Sequence, residues 1–361
     1  MLFEFDDEKY VESYGANRNY GLGYVGSKNL IVEDLVSCFP KAENFYDLFA
    51  GGGAVTHYVI LQKKYKNHFM NDLDPQPIEL FERAVKGEFK NERRWISRED
   101  FFGLKDSDSY VAYCWSFGNN GGCYLYSKEI EPYKKACHFA IVFDEWKLLE
   151  ELCPEIVDVA KKALEGVFDL KLRRLRFAPS IVRKLKKMGD WNLVQNNPLY
   201  KSCHWRGGKL DGKQNDLQSL QSLESLQSLE SLERLQSLER LERLQSLERL
   251  ESLESRTLNF SNKSYDEIQI KENSVVYCDI PYQDTVEYKI GDFDYDKFYD
   301  WCKNQKELVF VSSYMLPEDK FHLVKEFKKA CTFQGGGANS KIERLYVPIH
   351  QKDRIVDSKL F

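Results

Sequence analysis

The sequence predicts an α/β fold in which a Rossmann-like parallel sheet is interrupted by a mainly helical insertion. Strand and helix patterns alternate along residues 1–100, which is typical of parallel α/β proteins. The alternation is lost in residues 101–210, and a low-complexity segment occupies residues 211–256. Strand patterns return in residues 257–361. We therefore divide the chain at these boundaries and expect the first and last parts to form one sheet.

The first sheet elements are short apolar runs that glycine and polar residues interrupt. Residues 44–49 and 67–70 each predict a buried strand. The glycines at 51–53 end the first strand, and helical spacing follows at 55–64 and at 78–87. Strand, helix, strand and helix in this order predict a parallel sheet.

The middle part of the chain combines an aromatic loop with a basic run. Residues 114–128 are rich in aromatic residues, glycine and asparagine. Residues 161–209 contain 13 Lys and Arg residues against three acidic ones, although the whole chain has a net charge of -5. A basic surface on an acidic protein is typical of phosphate binding, and the alternative is a solvated helical face.

Leucine recurs at every third position from Leu217 to Leu253. An α-helix turns every 3.6 residues, so leucines at this spacing wind around all faces and form no coiled-coil stripe. We interpret the segment as a repeat tolerated in a surface connection, with high helix propensity. The alternative is self-association through exposed leucines.

Three apolar runs follow the repeat, at residues 274–279, 306–313 and 344–349. Each is bounded by turn residues and predicts a strand that rejoins the first sheet.

The composition indicates a folded chain without a membrane span. Hydrophobic residues make up 42% of the sequence, enough for a sizeable core. No run approaches the roughly 20 apolar residues of a transmembrane helix, and the acidic N-terminus lacks a secretory pattern. The nine cysteines form no CxxC pair, so we expect buried free thiols, no metal site and a cytoplasmic protein.

A glycine-rich turn after the first strand is the first candidate binding element. Phe49, Gly51 and Gly53 form an FxGxG pattern, which permits a tight turn and a close approach of a ligand to the backbone. Asp72 lies 19 residues after Gly53, at the end of the second predicted strand, where a carboxylate can bind ribose hydroxyls. Both NAD and S-adenosylmethionine carry a ribose. Asp74 is a competing candidate, and the alternative role of either residue is a helix N-cap.

The sequence Asp279-Ile280-Pro281-Tyr282 follows the run 274–278 and carries the chemistry. It places a carboxylate, backbone carbonyls and an aromatic ring at the edge where open α/β sheets bind ligands. Asp279 and the Ile280 carbonyl can accept hydrogen bonds from an exocyclic amine, and Tyr282 can stack on a base taken out of a duplex. Transfer of a group to this amine by direct displacement then needs only the positioning of the two reactants and electrostatic stabilisation by the protein.

These motifs, in this order, resemble those of the Dam-like adenine-N6 DNA methyltransferases (D12 class, alpha group). Tyr24–Lys28 is similar to the family's N-terminal Tyr/Trp-x-Gly-Gly-Lys motif, and Asp47–Val55 to its cofactor loop. Asn71–Asp74 is similar to its Asp-Ile-Asn, and Asp279–Tyr282 to its catalytic DPPY. Ser264-Tyr265 and Val311–Ser313 are weaker likenesses.

The resemblance implies a methyltransferase sheet with an inserted target-recognition subdomain, and site-specific methyl transfer from S-adenosyl-L-methionine to adenine N6 in double-stranded DNA, as in restriction–modification systems. It implies that Tyr24 and Lys28 contact the cofactor, Lys28 near its carboxylate. It assigns Asp72 to the ribose and Tyr265 to the neighbourhood of the cofactor adenine. Asp279 would border both the cofactor and a flipped target adenine.

Recognition of bases in the middle part would fall to five polar or aromatic side chains: Trp115, Phe117, Asn119, Asn120 and Tyr124. For the aromatic ones, core packing is the alternative. Phosphate contacts would come from seven basic residues: Arg173, Arg174, Arg176, Arg183, Lys184, Lys186 and Lys187.

Other functions stay open at this point. The motif has Ile280 where the family has proline, and a relative that binds DNA without methyl transfer is one alternative. A methyltransferase for another planar amine (cytosine N4, an RNA adenine or a glutamine amide) is a second. A nicotinamide-dependent oxidoreductase would explain Gly51, Gly53 and Asp72 but gives residues 279–282 no role.

Overall fold

The computed structural model describes residues 20–23, 26–170, 172–174, 176–177, 180–181, 199, 247, 249–253, 257–282, 293–328 and 342–356. The chain divides into two compact units. Unit 1 comprises Met1–Lys90 and Ser246–Phe361, and unit 2 comprises Asn91–Gln245. Most of the leucine repeat lies outside the described residues.

The described part contains nine strands: β1 (Asn44–Asp47), β2 (Asn67–Asn71), β3 (Ser116–Phe117), β4 (Cys123–Tyr124), β5 (Thr257–Ser261), β6 (Ser274–Asp279), β7 (Leu308–Ser313), β8 (Phe321–Lys328) and β9 (Ile342–Pro348). Seven of them form the sheet of unit 1 in the order β5-β2-β1-β6-β7-β9-β8. Neighbouring strands from β5 to β7 are parallel, and β9 is antiparallel to both β7 and β8. This mostly parallel sheet is consistent with a methyltransferase fold and confirms the predicted α/β class.

Unit 1 contains the α-helices α1 (Val32–Ser37), α2 (Ala54–Gln62), α3 (Pro75–Val85), α9 (Tyr295–Asn304) and α10 (Asp353–Val356), and two short 3-10 helices at Tyr265–Glu267 and Ile349–Gln351. The described α-helices of unit 2 are α4 (Arg98–Leu104), α5 (Ser109–Cys114), α6 (Glu131–Phe143), α7 (Lys147–Leu152) and α8 (Pro154–Leu164).

The sheet of unit 1 has a hydrophobic cluster on each face. Successive side chains of a strand point to opposite faces. Phe45 accordingly packs in the cluster that α1 and α2 cover, and Tyr46 packs in the cluster that α9 covers. All four residues of β1 are buried, as expected for a central parallel strand covered on both faces.

The start of α3 shows which of the two candidate carboxylates, Asp72 or Asp74, caps the helix. Asp74 is the N-cap of this helix, and its side chain accepts a hydrogen bond from the backbone N–H of Gln76 at 3.0 Å. Pro75 follows at the first helical position, where its missing N–H costs nothing. Asp74 therefore caps the helix, and Asp72 stays the candidate for binding ribose hydroxyls.

The described part of unit 2 is mainly helical, with a short hairpin formed by β3 and β4. The Ser116 hydroxyl accepts hydrogen bonds from the backbone N–H groups of Asn120 and Gly121 and so holds the turn. The indole of Trp115 is fully buried and lies edge-on to Trp95, with the ring centroids 5.2 Å apart. An aromatic cluster therefore forms part of the core of this unit.

The last leucines of the repeat are part of unit 1. Leu247, Leu250 and Leu253 are at most 2% exposed. Glu251, which lies among them, accepts a hydrogen bond from Lys90 at 3.0 Å. The interpretation of the repeat as a surface insert is therefore wrong for its C-terminal end. The rest of that interpretation, and self-association, concern residues outside the described ones.

Candidate active site

The carboxyl ends of β1, β2 and β6 meet at one edge of the sheet, and each is followed by a predicted motif. Asp47 of β1 pairs with Met70 of β2 on one side and with Tyr277 of β6 on the other. Backbone hydrogen bonds continue the register beyond the strands, from Leu48 N–H to the Tyr277 carbonyl and from Ala50 N–H to the Asn71 carbonyl. Parallel pairing thus brings together segments that are more than 200 residues apart in sequence.

Gly53 ends the glycine-rich turn in a conformation that requires glycine. Its φ is +70°, in the left-handed region. A Cβ atom built on Gly53 would lie 2.6 Å from Phe81 and 2.7 Å from Met70. The turn is therefore held tightly between β1 and α2, and its backbone stays close to the sheet.

Asp72 lies immediately after β2 and hydrogen-bonds to the backbone of the glycine-rich turn. One carboxylate oxygen accepts a hydrogen bond from the backbone N–H of Gly51 at 2.7 Å, and the other accepts from that of Asp74 at 2.9 Å. Burial raises the pKa of Asp72 to about 6, although both hydrogen bonds oppose this. The carboxylate is positioned at the sheet edge next to the glycine turn, as the sequence predicts.

Phe49 and Tyr265 lie next to each other beside the turn. Their rings are stacked with centroids 5.5 Å apart. The Tyr265 hydroxyl is buried without a hydrogen-bond partner, and burial raises its pKa above the usual range. The two aromatic residues form an apolar wall at the carboxyl edge of β1.

A polar cluster surrounds the end of β6. The Lys28 ammonium donates to a carboxylate oxygen of Asp279 at 2.5 Å and to the Tyr282 hydroxyl at 2.7 Å. The other carboxylate oxygen of Asp279 lies 3.2 Å from that hydroxyl. Lys28 is only 3% exposed, so its charge is balanced inside the protein rather than by water. The ring of Tyr282 also contacts Tyr314, at 4.2 Å between centroids.

Ile280 and Pro281, which lie between Asp279 and Tyr282, attach the motif to the rest of unit 1. Ile280 is 1% exposed and packs in the hydrophobic cluster of α9. The Pro281 carbonyl accepts a hydrogen bond from the Tyr295 hydroxyl at 3.0 Å. Ile280, which stands where the family that the motifs resemble has proline, is thus anchored by core packing.

Asp47 is a buried carboxylate that the sequence prediction did not include among the site residues. One oxygen accepts a hydrogen bond from the Thr56 hydroxyl at 2.7 Å, and the other is buried without a hydrogen-bond partner. Burial, with smaller effects from Asp279 and Asp72, raises the pKa of Asp47 to about 7. An acidic residue inside the otherwise apolar run 44–49 was the available signal for it.

Glu343 is the second missed residue. It lies on β9, is 1% exposed, and accepts a hydrogen bond from the Tyr282 hydroxyl at 2.6 Å. The Lys28 ammonium is 3.9 Å away. The sequence contained no signal for this residue, because only the antiparallel return of β9 brings it to Tyr282 and Lys28.

The structure therefore gathers most of the predicted site residues at one sheet edge: Lys28, Phe49, Gly51, Gly53, Asp72, Tyr265, Asp279, Ile280, Pro281 and Tyr282. Tyr24 lies outside the described residues. No group of three or more His, Cys, Asp or Glu suited to a metal ion occurs in the part of the chain that the structure describes. None of the described helices is both long enough and apolar enough to span a membrane.

Several side chains that were predicted to contact nucleic acid instead make contacts within unit 2. Trp115 and Tyr124 are buried, which confirms the core-packing alternative for both, whereas Phe117 and Asn120 are exposed on the hairpin. Arg173 donates to the carbonyls of Ala140 and Ile141 at the end of α6 and pairs with Asp144. Arg174 is 8% exposed. The expectation of phosphate contacts is therefore wrong for Arg173 and Arg174; residues 183–187 lie outside the described ones.

Residues 24–135 match the family model for D12 class N6 adenine-specific DNA methyltransferase. The match confirms the resemblance that the sequence motifs indicated, and it covers the motif at Lys28, the glycine turn and Asp72. A search of curated proteins found no match.

Proposed function

We propose that this protein transfers a methyl group from S-adenosyl-L-methionine to N6 of adenine in double-stranded DNA. The observation that carries the proposal is the convergence of Asp279, Tyr282 and Lys28 at the carboxyl edge of the sheet, beside the glycine turn. The family match of residues 24–135 supports adenine as the target.

The residues at the edge fit the cofactor. The Asp72 carboxylate hydrogen-bonds to the glycine-rich turn, and one buried oxygen of Asp47 at the end of β1 has no hydrogen-bond partner among the described residues, so polar groups suited to the cofactor converge at this edge. Asp72 would accept from ribose hydroxyls, and Phe49 and Tyr265 would border the adenine. When bound, the cofactor supplies a methyl group on a positively charged sulfur. Lys28 would lie near the carboxylate of the cofactor, and Tyr24, which is outside the described residues, stays a predicted cofactor contact.

The residues of the motif then orient the target amine. Asp279 and the Ile280 carbonyl would each accept a hydrogen bond from the amine, which turns its lone pair toward the methyl group. Lys28 balances the charge of Asp279 and fixes its carboxylate. Tyr282 would stack on the adenine after it has left the duplex. The chain needs no covalent intermediate for this reaction.

The alternatives differ in what they leave unexplained. An oxidoreductase would give no role to the cluster of Asp279, Tyr282 and Lys28. A DNA-binding relative without activity was suggested by Ile280, but the buried packing of this residue supports an intact motif. A different planar amine as the target would use the same residues, and the experiment below distinguishes it.

The test is transfer of a tritiated methyl group from S-adenosylmethionine to double-stranded DNA, followed by separation of the nucleosides. We expect label in N6-methyladenine with the wild-type protein. Asp279→Asn, which keeps the shape but removes the charge, should lower kcat by about a hundredfold or more while the cofactor still binds. Asp296→Asn serves as the control because its side chain is 91% exposed and lies outside the site.

Each other outcome has a distinct meaning. Label in another nucleoside keeps the mechanism and corrects the target. Turnover of Asp279→Asn equal to that of the wild type contradicts the role of the carboxylate. Cofactor binding without any labelled DNA contradicts the proposed reaction.

A further inference from the structure

Glu343 enters the site from a strand that the family match does not include. β9 runs antiparallel to β7, with Arg344 opposite Ser313, so its first residues lie at the edge where β6 and β7 end. A carboxylate that is only 1% exposed is costly unless it is paired. Because Glu343 hydrogen-bonds to Tyr282 and lies near Lys28, it belongs to the polar cluster.

The hydroxyl of Tyr282 has one proton, and two carboxylates of the described part of the chain lie within reach of it. Glu343 lies at 2.6 Å and Asp279 at 3.2 Å. The shorter hydrogen bond takes the proton, because strength falls steeply with distance and charged acceptors favour short contacts. The Lys28 ammonium donates to the same hydroxyl oxygen at 2.7 Å, so the hydroxyl is fixed from both sides.

We propose that Glu343 is a positioning residue that draws the Tyr282 proton away from Asp279. The Asp279 oxygen that faces the hydroxyl then remains an acceptor for the target amine. Without Glu343 the hydroxyl turns to Asp279 and competes with the amine for that oxygen. The role of Glu343 is thus exerted through Tyr282 and needs no contact with substrate. This inference rests on the proposed methyl transfer.

The kinetic test is a double-mutant cycle with Glu343→Gln and Tyr282→Phe. Glu343→Gln should lower kcat by about tenfold and leave both KM values within about twofold, since it removes no direct contact with DNA or cofactor. Tyr282→Phe keeps the stacking ring and removes the competing hydroxyl, so it should cost only about threefold. In the Tyr282→Phe background, Glu343→Gln should have an effect below about twofold. Effects that multiply in the double variant would overturn the proposal, because they would show that Glu343 acts independently of the hydroxyl.

The matched control is Glu326→Gln. Glu326 lies on the neighbouring β8, is 46% exposed and pairs with Arg344, so it tests the same chemical change outside the site. We expect its kcat to equal that of the wild type. If Glu343→Gln does not fold, Glu343→Asp replaces it in the cycle: it keeps the charge but withdraws the carboxylate from the hydroxyl, and the same loss of effect in Tyr282→Phe is expected.

A spectroscopic measurement separates this proposal from the proposed function. In protein labelled with 13Cζ-tyrosine, the Tyr282 signal is the one that Tyr282→Phe removes. It should shift in Glu343→Gln and stay in place in Glu326→Gln. An unmoved Tyr282 signal overturns the assignment of Glu343 whether or not the protein turns over. A wild-type protein that transfers no methyl group contradicts the proposed function, and a shifted signal in that case still supports the contact.

Discussion

Asp47→Asn should change how the stability of this protein depends on pH. Burial raises the pKa of Asp47 from 3.8 to about 7, so the folded protein keeps this proton over a range in which the unfolded chain has lost it. Wherever the folded state binds more protons than the unfolded state, stability falls as pH rises. The contribution of Asp47 is therefore fully present below pH 4 and is lost as pH rises through 7.

The size of the effect follows from the shift. Each pKa unit corresponds to about 1.4 kcal/mol, so the change from 3.8 to about 7 amounts to roughly 4 kcal/mol. Asparagine has the shape of the protonated acid and does not titrate. Any constant cost of its amide beside Thr56 is the same at every pH. The free energy of unfolding of the variant, relative to the wild type, should thus rise by roughly 4 kcal/mol between pH 4 and pH 8.

Urea unfolding at a series of pH values, followed by circular dichroism, measures this difference. Asp296→Asn is the control, because it removes an exposed carboxylate from the same unit. It should follow the wild type within about 0.5 kcal/mol throughout. Parallel curves for Asp47→Asn and the wild type would refute the reasoning, since they would show that Asp47 titrates alike in both states.

Three further predictions concern the turn, the lysine and the repeat. Gly53→Ala should destabilise the protein by roughly 2–4 kcal/mol in urea unfolding, because its φ of +70° and the contact of a Cβ with Phe81 both oppose a side chain; an unchanged midpoint would contradict the tight turn. Lys28→Ala should weaken cofactor binding by about tenfold in calorimetry, with Lys66→Ala, 79% exposed, as the control; equal affinities would reject the cofactor role. Leu250→Ala should cost about 2–5 kcal/mol because the side chain is fully buried. Leu229→Ala, a leucine of the same repeat, should leave the unfolding midpoint unchanged if that part is a tolerated insert.

Much of the central sheet could be predicted from local patterns. β1, β2, β6, β7 and β9 were recognisable as apolar runs between turn residues, and every predicted end lies within two residues of the observed one. β5 and β8 were not predicted. Both lie at the edges of the sheet, where one side is open, and the described burial of β5 is only partial. Edge strands carry weak hydrophobic patterns, so their place depends on the strand that they pair with.

The leucine repeat shows how a sequence period can mislead. A strict period of three forms no stripe on a helix, which favoured an insert outside the core. Leu247, Leu250 and Leu253 are nevertheless buried, which shows that tertiary packing, and not the sequence period, decides their exposure. Arg173 is a similar case: its charge suggested phosphate, but the carbonyls at the end of α6 take its donors.

The sequence by itself determined the glycine turn, the acid at the end of the second strand and the Asp279–Tyr282 motif, because each depends on residues that are close in the chain. Strand, turn and carboxylate are local features that a short segment specifies. Only the tertiary structure decided that one oxygen of Asp47 is buried without a hydrogen-bond partner, that Lys28 binds Asp279, and that Glu343 accepts the Tyr282 proton. These contacts join residues up to 251 positions apart. They arise because parallel pairing aligns the carboxyl ends of β1, β2 and β6, and because the antiparallel β9 returns to that same edge.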